Sequence, residues 1–219
     1  MGYDVSFHPI SPEEIREWYF TPLTWIRQGQ EEKVLALAAQ HGIEDFYAEK
    51  YLDTLRVGAG TEPDELFDKS HGFYIAVIQG FFRDYYYTRG SAFSFLVDQK
   101  PEYTRYFTSW EQVTPVSFPN PMQNRIIENY CSGVYLSPDQ VVQLLKDMEQ
   151  DPKVLEDLER LWSNGQIAVL KKALSAAAKS GAGLLEATEV VEPNPISPNE
   201  STSYSNLYHC DRDGVYLYI

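Results

Sequence analysis

Two copies of one helix-start signal constrain how this chain can fold. The sequence reads Ser-Pro-Glu-Glu at residues 11–14 and Ser-Pro-Asp-Gln at residues 137–140. In each copy a serine suits the N-cap, a proline suits the first helical position, and a Glu or Gln three residues after the serine completes a capping box. The sequence therefore predicts that helices begin directly after Ser11 and Ser137.

The second signal opens a run of helices in the C-terminal half. Residues 137–150 and 151–162 carry apolar side chains at helical spacing, and Asn164-Gly165 interrupts the pattern before a third segment at residues 166–179. Similar patterns predict helices at residues 31–40 and 44–56 in the N-terminal half. Helices are therefore expected to dominate the structure.

Several short segments have the composition and alternation of strands. The candidates are residues 3–7, 134–136, 187–191, and a hairpin pair at 207–210 and 215–219 on either side of Asp213-Gly214. We therefore expect an α+β fold class, with helices packed on a small antiparallel sheet that includes a C-terminal hairpin. The length of 219 residues suits a single domain over residues 1–219.

The conformation of residues 73–87 is ambiguous, because their apolar and aromatic composition suits a buried helix or a buried strand. We expect a helix, since Ala76, Gln79 and Arg83 interrupt strict alternation. The segment at residues 100–124 contains four prolines and is expected to be mostly irregular.

The charge of the chain restricts its partners. The sequence has 32 acidic and 18 basic residues and a formal net charge of −14 at pH 7. Nucleic acids and anionic membranes attract basic surfaces, so neither is an expected partner. A basic protein partner is favoured, because opposite fields accelerate encounter, although acidity for solubility alone is the competing interpretation. The chain shows no signal-peptide pattern and no apolar run of roughly 18 residues, so we expect a cytoplasmic location.

Side chains with catalytic or metal-binding chemistry are scattered along the sequence. The four histidines show no metal-ligand spacing, and Cys131 and Cys210 form no C-x-x-C pair. A nucleophilic couple between Cys131 and His209 stays open as an alternative to a buried structural cysteine. Asp211 and Asp213 resemble part of a calcium loop, but a hairpin turn fits better because no distal Glu follows. We expect no metal, no cofactor and no assignable catalytic residue.

Two segments are candidates for contact with a partner protein. The first is acidic and the second consists of consecutive tyrosines: Glu62, Asp64, Glu65, Asp68, Tyr85, Tyr86 and Tyr87. The acidic segment suits a basic partner, although a solvated loop is the simpler interpretation. Three consecutive tyrosines cannot all face one core, so we expect at least one to be exposed or at an edge, where it could anchor an interface. Packing in the core and at its rim is the alternative.

Both ends of the chain carry a resemblance to known sequences. The chain opens with MGYDVSFHPIS at residues 1–11, and GLLEATEVVEPNP at residues 183–195 precedes Ser-Asn-Leu at 205–207 and Cys-Asp at 210–211. With these segments it resembles, from end to end, a family of uncharacterised proteobacterial proteins associated with immunity partners of secreted toxins, including type VI effectors. The resemblance implies a cytoplasmic protein that neutralises a cognate toxin, for example a nuclease, by stoichiometric binding. It transfers no residue roles.

Two other functions stay open at this point. A hydrolase-like enzyme with scattered carboxylates would bring polar groups with shifted pKa values together in one pocket. A generic adaptor or regulatory domain would need only a binding surface. An immunity-type protein is expected to present a broad acidic face without a deep polar cleft.

Overall fold

The computed structural model describes residues 3–60, 71–115, 132–163, 165–191 and 208–214. The helical elements are α1 (Pro12–Ile15), a π-helical turn (Arg16–Phe20), α2 (Thr21–Arg27), α3 (Glu31–Gln40), α4 (Asp45–Gly58), α5 (His71–Phe82), α6 (Phe93–Gln99), a 3₁₀ helix (Pro101–Tyr106), α7 (Trp110–Val113), α8 (Pro138–Gln150), α9 (Pro152–Leu161) and α10 (Gln166–Ser180). The strands are β1 (Tyr3–Ile10), β2 (Tyr85–Gly90), β3 (Ser132–Leu136), β4 (Gly183–Thr188) and β5 (Cys210–Asp211). Helices packed against one sheet confirm the α+β fold class.

The sheet has the strand order β3-β4-β1-β2-β5. β1 lies at its centre and pairs antiparallel with β2 and β4, and β3 pairs antiparallel with β4. β5 runs parallel to β2, so the sheet is mixed and the expectation of a wholly antiparallel sheet is wrong at this edge. Residues 215–219, the second strand of the expected hairpin, lie outside the described residues.

Helices cover both faces of the sheet. On one face, strand residues such as Ile10, Tyr85 and Leu185 pack against the helices from α1 to α5 and against α7. On the other face, residues such as Phe7 and Leu184 pack against α6, α8, α9 and α10. Strands of such a sheet are apolar on both sides, because neither face meets water.

Because both faces of the sheet are covered, all three tyrosines in β2 are buried. Tyr85 and Tyr87 point into one core and Tyr86 points into the other, and their exposed fractions are 2%, 4% and 7%. Of the expectation that at least one would be exposed or at an edge, the exposure is wrong, and packing in the core, the alternative, is what the structure shows. Successive side chains of a strand enter opposite faces, and both faces are covered.

The preceding segment changes from helix to strand within residues 73–87. The expected helix is confirmed up to Phe82, where α5 ends, and is wrong for residues 85–87, which belong to β2. The side-chain amide of Gln79 donates to the carbonyl oxygens of Arg83 and Asp84, at 3.4 and 3.1 Å, and so satisfies the backbone at this transition.

The two predicted capping boxes are confirmed. Ser11 Oγ accepts from the Glu14 N–H group at 3.1 Å, and the Glu14 carboxylate accepts from the Ser11 N–H group at 2.8 Å. Ser137 and Gln140 make the same reciprocal pair at 3.4 and 2.9 Å. Each box therefore fixes the start of a helix directly after a strand, since β1 ends at Ile10 and β3 ends at Leu136.

Other boundaries differ from the sequence prediction. The strand expected at residues 187–191 lies instead at Gly183–Thr188, because α10 ends at Ser180 with Gly181 in the left-handed region (φ 67°) and the chain enters the sheet two residues later. The described part of the proline-rich segment, up to Pro115, contains the 3₁₀ helix and α7 rather than only irregular structure. None of the described helices is long and apolar enough to cross a membrane.

Candidate partner-binding surface

The sequence-predicted contact residues are distributed as follows. Glu62, Asp64, Glu65 and Asp68 lie outside the described residues. Tyr85, Tyr86 and Tyr87 are buried, and the ring of Tyr85 stacks on His8 with 4.9 Å between the ring centroids. The hydroxyl group of Tyr87 donates a hydrogen bond to a carboxylate oxygen of Asp4. The tyrosine run thus builds the cores on both faces of the sheet.

An exposed aromatic residue lies at the start of α4. The side chain of Phe46 is 64% exposed, the largest fraction among the big apolar side chains that the structure describes as exposed. Glu44, Asp45 and Glu49 are within three residues of it in the sequence and are exposed, and we call these four residues the α4 patch. Full burial of a phenylalanine side chain is worth roughly 1.5–3 kcal/mol relative to full exposure, and contact with another molecule would recover part of it at this position.

The three carboxylates of the α4 patch differ from neighbouring acids in their ion pairing within the described part of the chain. None of Glu44, Asp45 and Glu49 forms an ion pair with a described residue, whereas the nearby Glu31 and Asp53 both bind Arg56, at 2.6 and 2.8 Å. Lys50 adds one cation next to the patch, and its Nζ lies 5.6 Å from the centre of the Phe46 ring. The patch therefore keeps a net negative charge.

A competing structural explanation exists for part of this charge. An acidic residue in the first turn of a helix is stabilised by the helix dipole, and Asp45 occupies that turn in α4. This effect accounts for an aspartate at position 45. It does not account for an exposed phenylalanine at position 46, which gains nothing from the dipole.

The patch is presented on a rigid support. The inner face of α4 is buried through Ala48, Tyr51, Leu52 and Leu55. Next to the patch, Tyr47 stacks on Tyr208 with 3.7 Å between centroids, which ties the start of α4 to the segment that leads into β5. A partner that binds here therefore meets a preorganised surface, which lowers the entropic cost of binding.

The sequence contains a signal for this surface that is separate from helical periodicity. The apolar stripe predicted for this helix runs through Tyr47, Tyr51, Leu52 and Leu55. Residues on one face of a helix are three or four positions apart, and by this spacing Phe46 does not belong to that stripe. An aromatic residue on the polar side of an amphipathic helix, with three acids within three residues of it, is the sequence feature that distinguishes this surface.

Three buried side chains, Gln79, His8 and Ser6, are connected by hydrogen bonds in the same sequence of roles as a hydrolytic triad. His8 Nδ1 lies 2.7 Å from Gln79 Oε1, and His8 Nε2 lies 2.8 Å from Ser6 Oγ. Because the Gln79 amide nitrogen donates to backbone carbonyls, its oxygen faces His8 and accepts from the Nδ1–H group. Nε2 is then free to accept from the Ser6 hydroxyl, as a general base would.

Burial argues against catalysis by this constellation. Ser6, His8 and Gln79 are exposed by 1%, 1% and 0%, so no substrate can reach the hydroxyl in this structure. Burial also lowers the pKa of His8 to about 4, although its Gln79 hydrogen bond opposes the shift. The imidazole is thus a neutral, fully satisfied link between β1 and α5.

A second buried group with a shifted pKa is Glu186 in β4. Burial raises the pKa of Glu186 to about 8, and the hydrogen bond from the Phe93 N–H group only partly opposes this. Both carboxyl oxygens lie near that single donor, at 3.2 and 2.9 Å. Glu186 points into the core opposite the one that holds His8, so the two groups do not form one site.

The other candidate chemistry from the sequence is not assembled in the described part of the chain. Cys131 lies outside it, so the couple with His209 stays a prediction. Burial raises the pKa of the Cys210 thiol to about 12, which suits a structural cysteine. Among the described residues, no three His, Cys, Asp or Glu side chains are grouped to hold a metal ion.

Comparison with known proteins found no matching family model, no matching curated protein and no matching solved structure.

Proposed function

We propose that this protein is an immunity-type binding protein that neutralises a basic bacterial toxin by stoichiometric occlusion in the cytoplasm. The observation that carries the proposal is Phe46, an exposed aromatic side chain on α4 with three exposed carboxylates within three residues of it, none of which forms an ion pair with a described residue. The net charge of −14 and the resemblance of the chain ends to immunity-like sequences support the same function.

The α4 patch has the composition of an interface centre for a cationic partner. Energetic hot spots are buried aromatic and arginine side chains surrounded by contacts that exclude water. Phe46 provides the aromatic group, and Glu44, Asp45 and Glu49 would accept hydrogen bonds from arginine or lysine side chains of the toxin. Their unpaired charge also accelerates encounter with a basic surface.

The first test is co-expression with the product of the gene that neighbours its own. We expect the two proteins to co-purify at a fixed ratio, and we expect the toxicity of that product to disappear when this protein is present. If the two proteins do not associate and growth is not restored, the proposed function is wrong.

Matched variants then test the surface. Reversing the charge of Glu44, Asp45 and Glu49 to lysine should weaken the complex by at least about 100-fold, and Phe46→Ala alone should weaken it by about 10-fold or more. The control reverses three exposed carboxylates on other helices that also lack an ion pair with a described residue, Asp98, Glu149 and Glu159. Val142→Ala, at a side chain that is 56% exposed, is the control for the loss of exposed apolar area.

The comparison separates a specific interface from a general charge effect. Both triple variants change the net charge equally, so a general field would weaken binding equally in both. Such a result, or full binding by the Phe46→Ala protein, would contradict the assignment of the interface to α4 while leaving stoichiometric binding to be judged by the co-expression result.

A further inference from the structure

An open groove beside the π-helical turn has a cationic lining, although the chain as a whole is acidic. Its volume is about 430 Å³, and its lining comes mainly from the turn, α2 and the start of α3. The ionisable groups in the described lining are Arg16 and Lys33, both cations, and no carboxylate is among them. In a chain with 32 acids and 18 bases, such a lining is a local inversion of charge.

Neither cation is neutralised by a described carboxylate. Arg16 is exposed and forms no ion pair in the described part of the chain, and Lys33 Nζ donates to the neutral Gln30 Oε1 at 2.7 Å. Glu17, next to Arg16 in the sequence, contacts His41 at 3.4 Å, and neither Glu13 nor Glu32 is part of the described groove lining. The groove therefore offers two cationic donors to an oxyanion.

Two aromatic side chains form the apolar part of the groove. Phe20 and Trp25 are half-buried and pack against the core beneath, which holds them in place. Thr24 and Gln28, one and two turns beyond Phe20, add polar groups to the lining. A flat ring can stack on such a surface while its substituents reach the polar edge.

The π-helical turn brings these groups together. The Thr21 N–H group donates to the Arg16 carbonyl oxygen, five residues back, so the turn contains an extra residue compared with an α-helix. Pro22 lacks the N–H group that would donate to Trp18 in an α-helix, and the hydroxyl of Tyr51 donates to the Trp18 carbonyl oxygen at 2.7 Å instead. A buried tyrosine thus supports the irregular turn that lines the groove.

We propose that this groove binds a small molecule that joins a phosphate to a flat ring, in the class of the nucleoside monophosphates. Arg16 and Lys33 would contact the phosphate, and Trp25 and Phe20 would contact the ring. The volume lies within the range of about 300–1,000 Å³ that is typical of small-molecule sites. This inference concerns residues outside the α4 patch and does not depend on the proposed toxin partner.

The experiment titrates the full-length protein with AMP, GMP, CMP and UMP by calorimetry, with adenosine and inorganic phosphate as separate arms. We expect at least one nucleotide to bind with a dissociation constant of about 1 mM or lower. Adenosine and inorganic phosphate should each bind at least about 10-fold more weakly. Arg16→Gln and Trp25→Leu should each reduce the affinity by about 10-fold or more.

Arg160→Gln is the control, because Arg160 is an exposed arginine on α9, away from the groove lining. Far-ultraviolet circular dichroism verifies that each variant is folded. The proposal is overturned if none of the four nucleotides binds, if adenosine or phosphate alone binds as tightly as the nucleotide, or if Arg160→Gln weakens binding as much as Arg16→Gln.

Discussion

Replacing Glu186 by glutamine is expected to remove a large pH dependence of folding stability. The carboxyl group has no exposed surface, and its two oxygens share the single N–H group of Phe93. Burial disfavours the charged form and raises the pKa of Glu186 to about 8. At neutral pH the folded protein therefore holds a proton that the unfolded chain releases.

The sign and size of the effect follow from this difference in proton binding. The ordinary pKa of the group is 4.5, so between pH 4.5 and pH 8 the folded state binds one proton more than the unfolded state. The free energy of unfolding must then fall as the pH rises through this window, and it stays constant above it. One pKa unit corresponds to about 1.4 kcal/mol, so the whole window amounts to about 5 kcal/mol.

Glutamine keeps an oxygen for the Phe93 N–H group but has no charge to bury. We expect the Glu186→Gln variant and the wild type to differ by no more than about 1 kcal/mol at pH 5, and the variant to be more stable by about 3–5 kcal/mol at pH 9. Urea unfolding followed by tryptophan fluorescence at unit steps from pH 5 to pH 9 measures the difference. Contributions from other titrating groups, including His8, cancel because both proteins share them.

Glu159→Gln provides the control, because Glu159 is exposed on α9. Its stability difference from the wild type should not change with pH by more than about 0.5 kcal/mol. A Glu186→Gln difference that is independent of pH, or that makes the variant less stable at pH 9, would refute the reasoning that burial holds the proton on Glu186.

Three further predictions concern the supports of the fold. Tyr51→Phe should lower the free energy of unfolding by about 1–3 kcal/mol in urea titrations, because the buried Trp18 carbonyl loses its donor; an unchanged stability would contradict this role. The His8 ring signals in NMR spectra should not titrate between pH 5.5 and pH 8, since burial lowers the pKa of His8 to about 4, and a midpoint near 6.5 would contradict its burial. Ser11→Ala should cost about 1 kcal/mol in thermal unfolding, and a comparable loss is expected for Ser137→Ala, because each removes a confirmed capping box.

The sequence alone predicted the elements whose signals are local. The capping boxes at Ser11 and Ser137, the end of α10 near Gly181 and the amphipathic stripes of α3, α4, α8 and α9 all depend on residues within a few positions of one another. Such interactions form largely within one helix or at its ends, so the sequence pattern predicts them without knowledge of distant residues.

Helix α2, helix α6 and the π-helical turn were not predicted, since their signals are weak or depend on distant partners. Pro22 suggests only a helix start, and the carbonyl group that it leaves without an α-helical donor is satisfied by Tyr51, 33 residues from Trp18 in the sequence. The placement of the groove beside this turn could not be derived from periodicity.

Tertiary structure decided what is buried and what is exposed. The second layer of helices covers Tyr86 and Glu186, and Glu186 finds its donor at Phe93, 93 residues earlier. His8 finds Gln79, 71 residues later, in the opposite core. A single sequence specifies which residues are apolar along an element, but the number of faces that an element buries depends on the layers that pack against it. For that reason none of the three tyrosines is exposed, although at least one was expected to be exposed or at an edge, while Phe46, beside the predicted apolar stripe, is exposed.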